Sequence, residues 1–341
     1  MTITVPDVRV HVHDSKLLRG NPQGDPHERQ LPVWVPPGYD PGRREPYPVV
    51  FLLAGWSGRG SRYLDDAGAF TVSLPERLDA AVRDGTLRPT IVVFPDGATR
   101  LGASQYVNSV ANGPYMDYVS DELVDFVDAQ YHTHRSRDFR GVIGHSSGGF
   151  GALVLGMLRP DRWAAIGSSA GDGWYDWLYH KPIPQMITVL ERAGGVVPFL
   201  EKFLAHPNPR DCLTREEVDT MMNLSMCACY APNLAVPVLK GDLYFDLHTG
   251  ELVPEVWKKF LDWDPVVMVD RHVEALRKLR WIHLQAGTDD EFALHLAHRQ
   301  LAKKLHGHGI AHVIEEYPGK HGGHHWRMAE RIRRMVDRLY E

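Results

Sequence analysis

The stretch Gly141-Val142-Ile143-Gly144-His145-Ser146-Ser147-Gly148-Gly149-Phe150-Gly151-Ala152-Leu153-Val154-Leu155 decides how this chain of 341 residues is read. Val142-Ile143 is short, apolar and β-branched, so it reads as a strand. Phe150 to Leu155 reads as a buried helix. Between them lies Gly-x-Ser-x-Gly, with Gly149 as a third glycine. A strand that turns at once into a helix forces the residue at the corner into a strained backbone, and glycines two residues either side let strand and helix approach. Ser146 would then stand at the carboxyl edge of a sheet, with the first amides of the following helix aimed at the same spot. That is the position of a nucleophile.

Outward from this corner, other short apolar runs read as strands: Gln30 to Val35, Val49 to Ala54, Thr90 to Phe94, Ala164 to Ser168, Trp281 to Ala286 and Val313 to Tyr317. Val49-Val50-Phe51-Leu52-Leu53 is apolar on both faces, which suits a central parallel strand. Helical stripes alternate with them, at Val119, Leu123, Phe126 and Gln130, at Leu294, Ala297, Leu301 and Leu305, and at Met328, Ile332, Met335 and Leu339. The alternation predicts an α/β chain with a mostly parallel sheet covered on both faces. From Gly173 to Arg280 no clean strand is legible, and the segment is rich in Pro, Met and aromatic residues. It is too long for a simple connection. The expected organisation is a core over residues 1–172 and 281–341, with a mainly helical cap inserted over residues 173–280.

A serine hydroxyl needs a base, and the base needs an orienting acid; on this architecture they follow in the order Ser, acid, His. Thr288-Asp289-Asp290 lies just past the strand Trp281 to Ala286, and both aspartates fit, with Asp290 preferred. Helix capping would also explain either one. The segment Tyr317-Pro318-Gly319-Lys320-His321-Gly322-Gly323-His324-His325-Trp326 follows the last strand and holds three candidate bases. Gly322-Gly323 would free the loop to deliver His324, which is preferred over His321 and His325. An oxyanion site needs two backbone donors. Ser147 supplies one at the corner, and the loop Gly55-Trp56-Ser57-Gly58-Arg59-Gly60 supplies the other, assigned to Trp56.

Together these residues resemble the esterase D family of α/β-hydrolases, serine esterases that include feruloyl- and enterochelin-type members. Leu31-Pro32-Val33-Trp34-Val35-Pro36-Pro37-Gly38-Tyr39 resembles the family's entry strand and turn. Tyr47-Pro48-Val49-Val50-Phe51-Leu52-Leu53-Ala54-Gly55 resembles its oxyanion strand, with Ala54 where His is usual. Gly287-Thr288-Asp289-Asp290 resembles its acid turn, which implies Asp290. Gly322-Gly323-His324-His325-Trp326 resembles its base motif, which implies His324. The resemblance implies an α/β-hydrolase fold and an acyl-enzyme mechanism on a small or medium-sized ester. It fades between Gly173 and Arg280, where substrate choice is expected to reside. The Met and aromatic residues there would line an apolar acyl or aryl pocket, or simply form the insert's own core.

Three rival readings follow from the same residues. An acyltransferase would share the acyl-enzyme and differ only in its acceptor. A non-catalytic binding protein is expected to have lost Ser146 or its base, and neither is lost. A metal enzyme could draw on His295 and His298 or on the three histidines from His321 to His325, among 19 in the chain. No His-Glu-x-x-His pattern is present, and no metal or other cofactor is expected.

Composition narrows the setting. Hydrophobic residues are 43% and charged residues 24%, an ordinary globular balance. Lys plus Arg is 38 against 43 Asp plus Glu, a formal net charge of −5. That balance argues against nucleic acid as the main partner, since phosphate binding needs clustered positive charge. Cys212, Cys227 and Cys229 are the only cysteines and read as reduced, buried or half-buried thiols. Met1 to Val12 lacks the apolar core of a signal peptide, and no run is long enough to span a membrane. The expectation is a soluble, cytoplasmic protein acting on a small-molecule ester, with homo-oligomerisation left open.

Overall fold

The seven apolar runs all become strands of one sheet. A computed structural model describes residues 6–64, 70–206, 208 and 213–341. Its strands are β1 (Val8–Asp14), β2 (Glu28–Trp34), β3 (Val49–Leu53), β4 (Ile91–Val93), β5 (Asn108–Ser109), β6 (Gly113–Pro114), β7 (Arg140–His145), β8 (Ala165–Ser169), β9 (Trp281–Gly287) and β10 (Val313–Tyr317). Eight of them form a sheet in the order β1-β2-β4-β3-β7-β8-β9-β10, and β5 and β6 pair separately. From β4 to β10 all neighbours are parallel. β1 and β2 join antiparallel at one edge. β3, β8 and β9 are buried along their whole length, as strands covered on both faces must be.

β1 is the strand of the eight-stranded sheet that is missing from the sequence reading. Its pattern is inverted: Val10 and Val12 are 55% and 69% exposed, while His13 is buried against Phe126. An edge strand with its valines outward and its histidines inward gives no ordinary burial signal.

The helical stripes lie where expected. Leu294, Ala297, Leu301 and Leu305 are buried along the helix Leu294–Gly307. Met328, Ile332, Met335 and Leu339 are buried along the helix Met328–Leu339. The first stripe is split, because a π-helical turn at Tyr118–Glu122 precedes the helix Leu123–Gln130.

Between β8 and β9 the described residues hold helices and two isolated bridges, Pro232↔Gly241 and Phe245↔Leu252, but no strand. Its aromatics pack directly on the sheet domain: Tyr230 lies edge-on to Phe150 at 5.8 Å, and the Tyr175 hydroxyl donates to the Tyr230 hydroxyl at 3.0 Å. One hydrophobic cluster runs from Phe51 and Phe150 through Tyr175, Tyr230 and Phe260, so the insert shares its core with the sheet. Cys227 and Cys229 are buried on the helix Arg215–Tyr230, while Cys212 and residues 1–5 lie outside the described residues. Among the described residues no helix is long and apolar enough to cross a membrane.

Candidate active site

The corner after β7 has the geometry its glycines imply. Ser146 sits at φ 57°, ψ −127°, a strained conformation for a residue with a side chain. The helix Ser147–Leu158 begins at the next residue. A Cβ on Gly144 would lie 2.3 Å from the Gly148 carbonyl carbon, and one on Gly148 would lie 2.2 Å from the Leu53 carbonyl oxygen. The turn closes only because both positions lack side chains. The Ser146 amide donates to the Ser169 carbonyl at 2.9 Å, which ties the corner to β8.

The partners of Ser146 come from the ends of β9 and β10. His321 Nε2 is 3.0 Å from Ser146 Oγ, and His321 Nδ1 is 2.9 Å from Asp290 Oδ2. The Asp290 side chain is fully buried, and its other oxygen accepts the Phe292 amide at 2.9 Å. Phe292 meets the imidazole edge-on at 4.8 Å, and His145 lies 4.7 Å away on another side. Asp289 is exposed at the turn, with its carboxylate near the Thr288 hydroxyl. Of the two aspartates, Asp290 is the one that meets a histidine.

His324, the preferred base in the sequence reading, is not at Ser146. It packs edge-on under Tyr317 at 4.7 Å, and its Nε2 is buried with no hydrogen-bond partner. His325 lies against Tyr63 and His145. The cause of the correction is the path of the chain leaving β10. The Thr288 amide donates to the Tyr317 carbonyl and the Asp289 amide to the Gly319 carbonyl, each at 2.9 Å. A Cβ on Gly287 would lie 2.2 Å from the Gly319 oxygen. The segment after β10 is thus clamped alongside the acid turn, and the first histidine past the clamp is His321. The His321 amide also donates to Glu291 Oε2 at 3.0 Å. Glu291 is a positioning residue that the sequence reading did not single out. The usable signal was distance from the strand end, not the glycine pair.

The loop after β3 runs beside the corner. A Cβ on Gly55 would lie 3.1 Å from Ser146 Cβ. Trp56 turns its indole away, donating from Nε1 to Ser225 Oγ at 2.9 Å on the helix Arg215–Tyr230. Ser147 opens a helix, so its amide has no carbonyl within that helix to bond. An opening of about 320 Å³ lined by Gly55, Trp56, Arg62, Arg215, Ser146 and His321 leads to the corner. Of the histidines weighed as metal ligands, His321 faces Ser146 and Asp290. His298 is buried, accepts the Gly171 amide at Nε2 (3.1 Å), and is held neutral by burial, its pKa pushed down to about 4. Among the described residues no group of three or more His, Cys, Asp or Glu side chains is placed to hold a metal ion.

Residues 26–331 match the protein family described as "Putative esterase". The chain belongs to this esterase family. The solved structures it resembles include a ferulic acid esterase, at TM-score 0.60 and 17% identity over 98% of both chains. They also include an S-formylglutathione hydrolase from Staphylococcus aureus, at TM-score 0.56 and 14% identity over 99% of this chain and 100% of that one. At such identities the likeness shows the α/β-hydrolase fold. A curated relative, an endo-1,4-beta-xylanase/feruloyl esterase of Xylanibacter ruminicola, is 25% identical over 142 residues. That match takes in 41% of this chain and only 19% of the relative's length.

The esterase carries one further acid at the site. Asp172 follows β8, is 7% exposed, and accepts Gln105 Nε2 at 3.0 Å. Burial is the main cause that lifts its pKa from the usual 3.8 to about 6, against the pull of Gln105 and His321. An acid whose pKa rises on folding holds its proton more tightly when folded. Its contribution to stability therefore falls as pH rises from about 4 through 6, by about 3 kcal/mol. Asp172→Asn is expected to raise Tm relative to the unmodified esterase at pH 8 and to give no gain at pH 4. Thermal melts at the two pH values check this; an equal shift at both would refute it.

Proposed function

We propose that this esterase hydrolyses carboxylic esters of small or medium size through an acyl-enzyme on Ser146. The contact that carries the reading is the relay from Ser146 Oγ through His321 to Asp290, at 3.0 and 2.9 Å. Ser146 Oγ attacks the ester carbonyl carbon while His321 Nε2 takes its proton. Asp290 accepts the Nδ1–H, which keeps Nε2 free as the base and stabilises the imidazolium that forms. The amides of Ser147 and Trp56 bind the oxyanion, a reading supported by the helix N-terminus at Ser147 and by the close approach of Gly55 to Ser146. His321 returns the proton to the leaving oxygen. It then takes a proton from water, whose oxygen attacks the acyl carbon, and gives that proton to Ser146 Oγ as the acyl C–O bond breaks and the acid leaves.

Residues 173–280 act as the cap in this scheme, with the helix Arg215–Tyr230 bringing Arg215 and Met222 to the opening beside Ser146. The buried thiols of Cys227 and Cys229, the former lifted to about 12 by burial, suit a reducing, cytoplasmic setting. The test is labelling with a fluorophosphonate followed by peptide mapping. One adduct on Ser146, lost in Ser146→Ala, is expected. An adduct elsewhere, or none in folded protein, defeats the proposal.

A further inference from the structure

Two spaces meet at Ser146 and His321. One is the opening of about 320 Å³, of mixed lining that includes Arg62 and Arg215. The other is a small cavity of about 20 Å³ walled by Leu178, Met222, Met226, Phe292 and Leu294, with Asp172 the only carboxylate among the described residues that line it. In a double-displacement reaction the leaving group departs and water enters beside the base while the acyl group stays in place. The wide opening suits that traffic, and the narrow apolar cavity suits the tip of a short acyl chain. We propose that Asp172 is a specificity residue that accepts a hydrogen bond from a hydroxyl on the acyl chain, so that the preferred substrates are esters of short hydroxy acids.

Several observations converge on this role. A carboxylate offers about four acceptor sites, and Gln105 Nε2 occupies one of them. Among the described lining residues Ser146, Ser147, Tyr179 and His321 carry a hydrogen that could be donated, and the other side chains around Asp172 are apolar. A cavity of about 20 Å³ has room for a group the size of one water molecule, which matches a hydroxyl and excludes an aromatic ring unless the walls move. An ammonium would bring a second charge into a pocket that already solvates the first poorly, as the raised pKa of Asp172 shows. An acyl chain with no hydroxyl would bury the carboxylate against hydrocarbon. Sites that bond a substrate hydroxyl reject analogues lacking it by large factors for this reason.

The inference rests on the serine-esterase reading, and its test separates the two. The aryl esters of 3-hydroxybutyrate and butyrate, and of lactate and propionate, form two matched pairs. In the unmodified enzyme the hydroxy member is expected to have the higher kcat/KM by about tenfold or more in at least one pair. Asp172→Leu is expected to bring that ratio to one or below, and Asp172→Asn to reduce it to a few-fold, both in protein whose Ser146 still takes a fluorophosphonate. Ratios near one in both pairs for the unmodified enzyme overturn the proposal while leaving the esterase intact. So does a ratio that Asp172→Leu leaves unchanged, or an aminoacyl ester preferred to both. An enzyme that cleaves no ester and resists the label defeats the esterase reading, and this one with it.

Discussion

Replacing His321 with alanine is expected to lower kcat on a short-chain aryl ester by about 10⁴-fold or more, whereas His324→Ala leaves it within a few-fold. The difference follows from which imidazole reaches the nucleophile. His321 touches both Ser146 Oγ and Asp290. His324 instead fills space under Tyr317. Its removal leaves a small void at the edge of the loop, which registers as about 1–2 kcal/mol of stability and a modest effect on turnover. Ser146→Ala and Asp290→Asn belong with His321→Ala, and combining any two adds little because the three act as one unit. Steady-state kinetics with circular dichroism as a folding control read all of these. Equal losses in His321→Ala and His324→Ala would show that the loop rearranges when substrate binds. Loss in His324→Ala alone would overturn the assignment of the base.

Gly148→Ala is expected to abolish both stable folding and activity, although it adds a single methyl group. That methyl would sit 2.2 Å from the Leu53 carbonyl oxygen and 2.9 Å from that of Ala54. Both are backbone atoms of β3 and its exit, and they cannot rotate away as a side chain could. Either the helix Ser147–Leu158 lifts off the sheet or β3 shifts its register; each breaks the corner that holds Ser146. The cost is several kcal/mol, of the size of a domain's whole stability margin. Gly307→Ala is the control. A Cβ there meets nothing within 4 Å, so the substitution is expected to be neutral or slightly stabilising. Expression yield and thermal melts of the two variants test the argument. Gly148→Ala melting within a few degrees of the parent would refute it.

Most of the frame was legible in local order. Apolar β-branched runs bounded by turn residues marked seven strands, because a strand buried on both faces must be apolar throughout. β1 was not legible, since its inward positions are histidines held by Phe126, Tyr131 and Tyr118 from a helical segment more than 100 residues away. Asp172 was equally silent. An aspartate after a strand reads as a turn residue, and only the packing of Met226, Leu178 and Phe292 around it makes it a buried acid.

Gly144 to Gly149 announced the strained corner at Ser146 because strand, sharp turn and helix are local events, each set by neighbouring residues in the chain. Asp290, which meets His321, was nearly as plain, since it follows its strand at once. The histidine beside Ser146 is different in kind. His321 and His324 stand three residues apart in one glycine-rich loop, and no local preference separates them. The choice falls to contacts between β9 and β10: the Asp289 amide on the Gly319 carbonyl, the missing side chain of Gly287, and Glu291 on the His321 amide. Those contacts join residues about 30 positions apart. They form only once the two strands lie side by side, which is why the tertiary structure, and not the motif, selects His321.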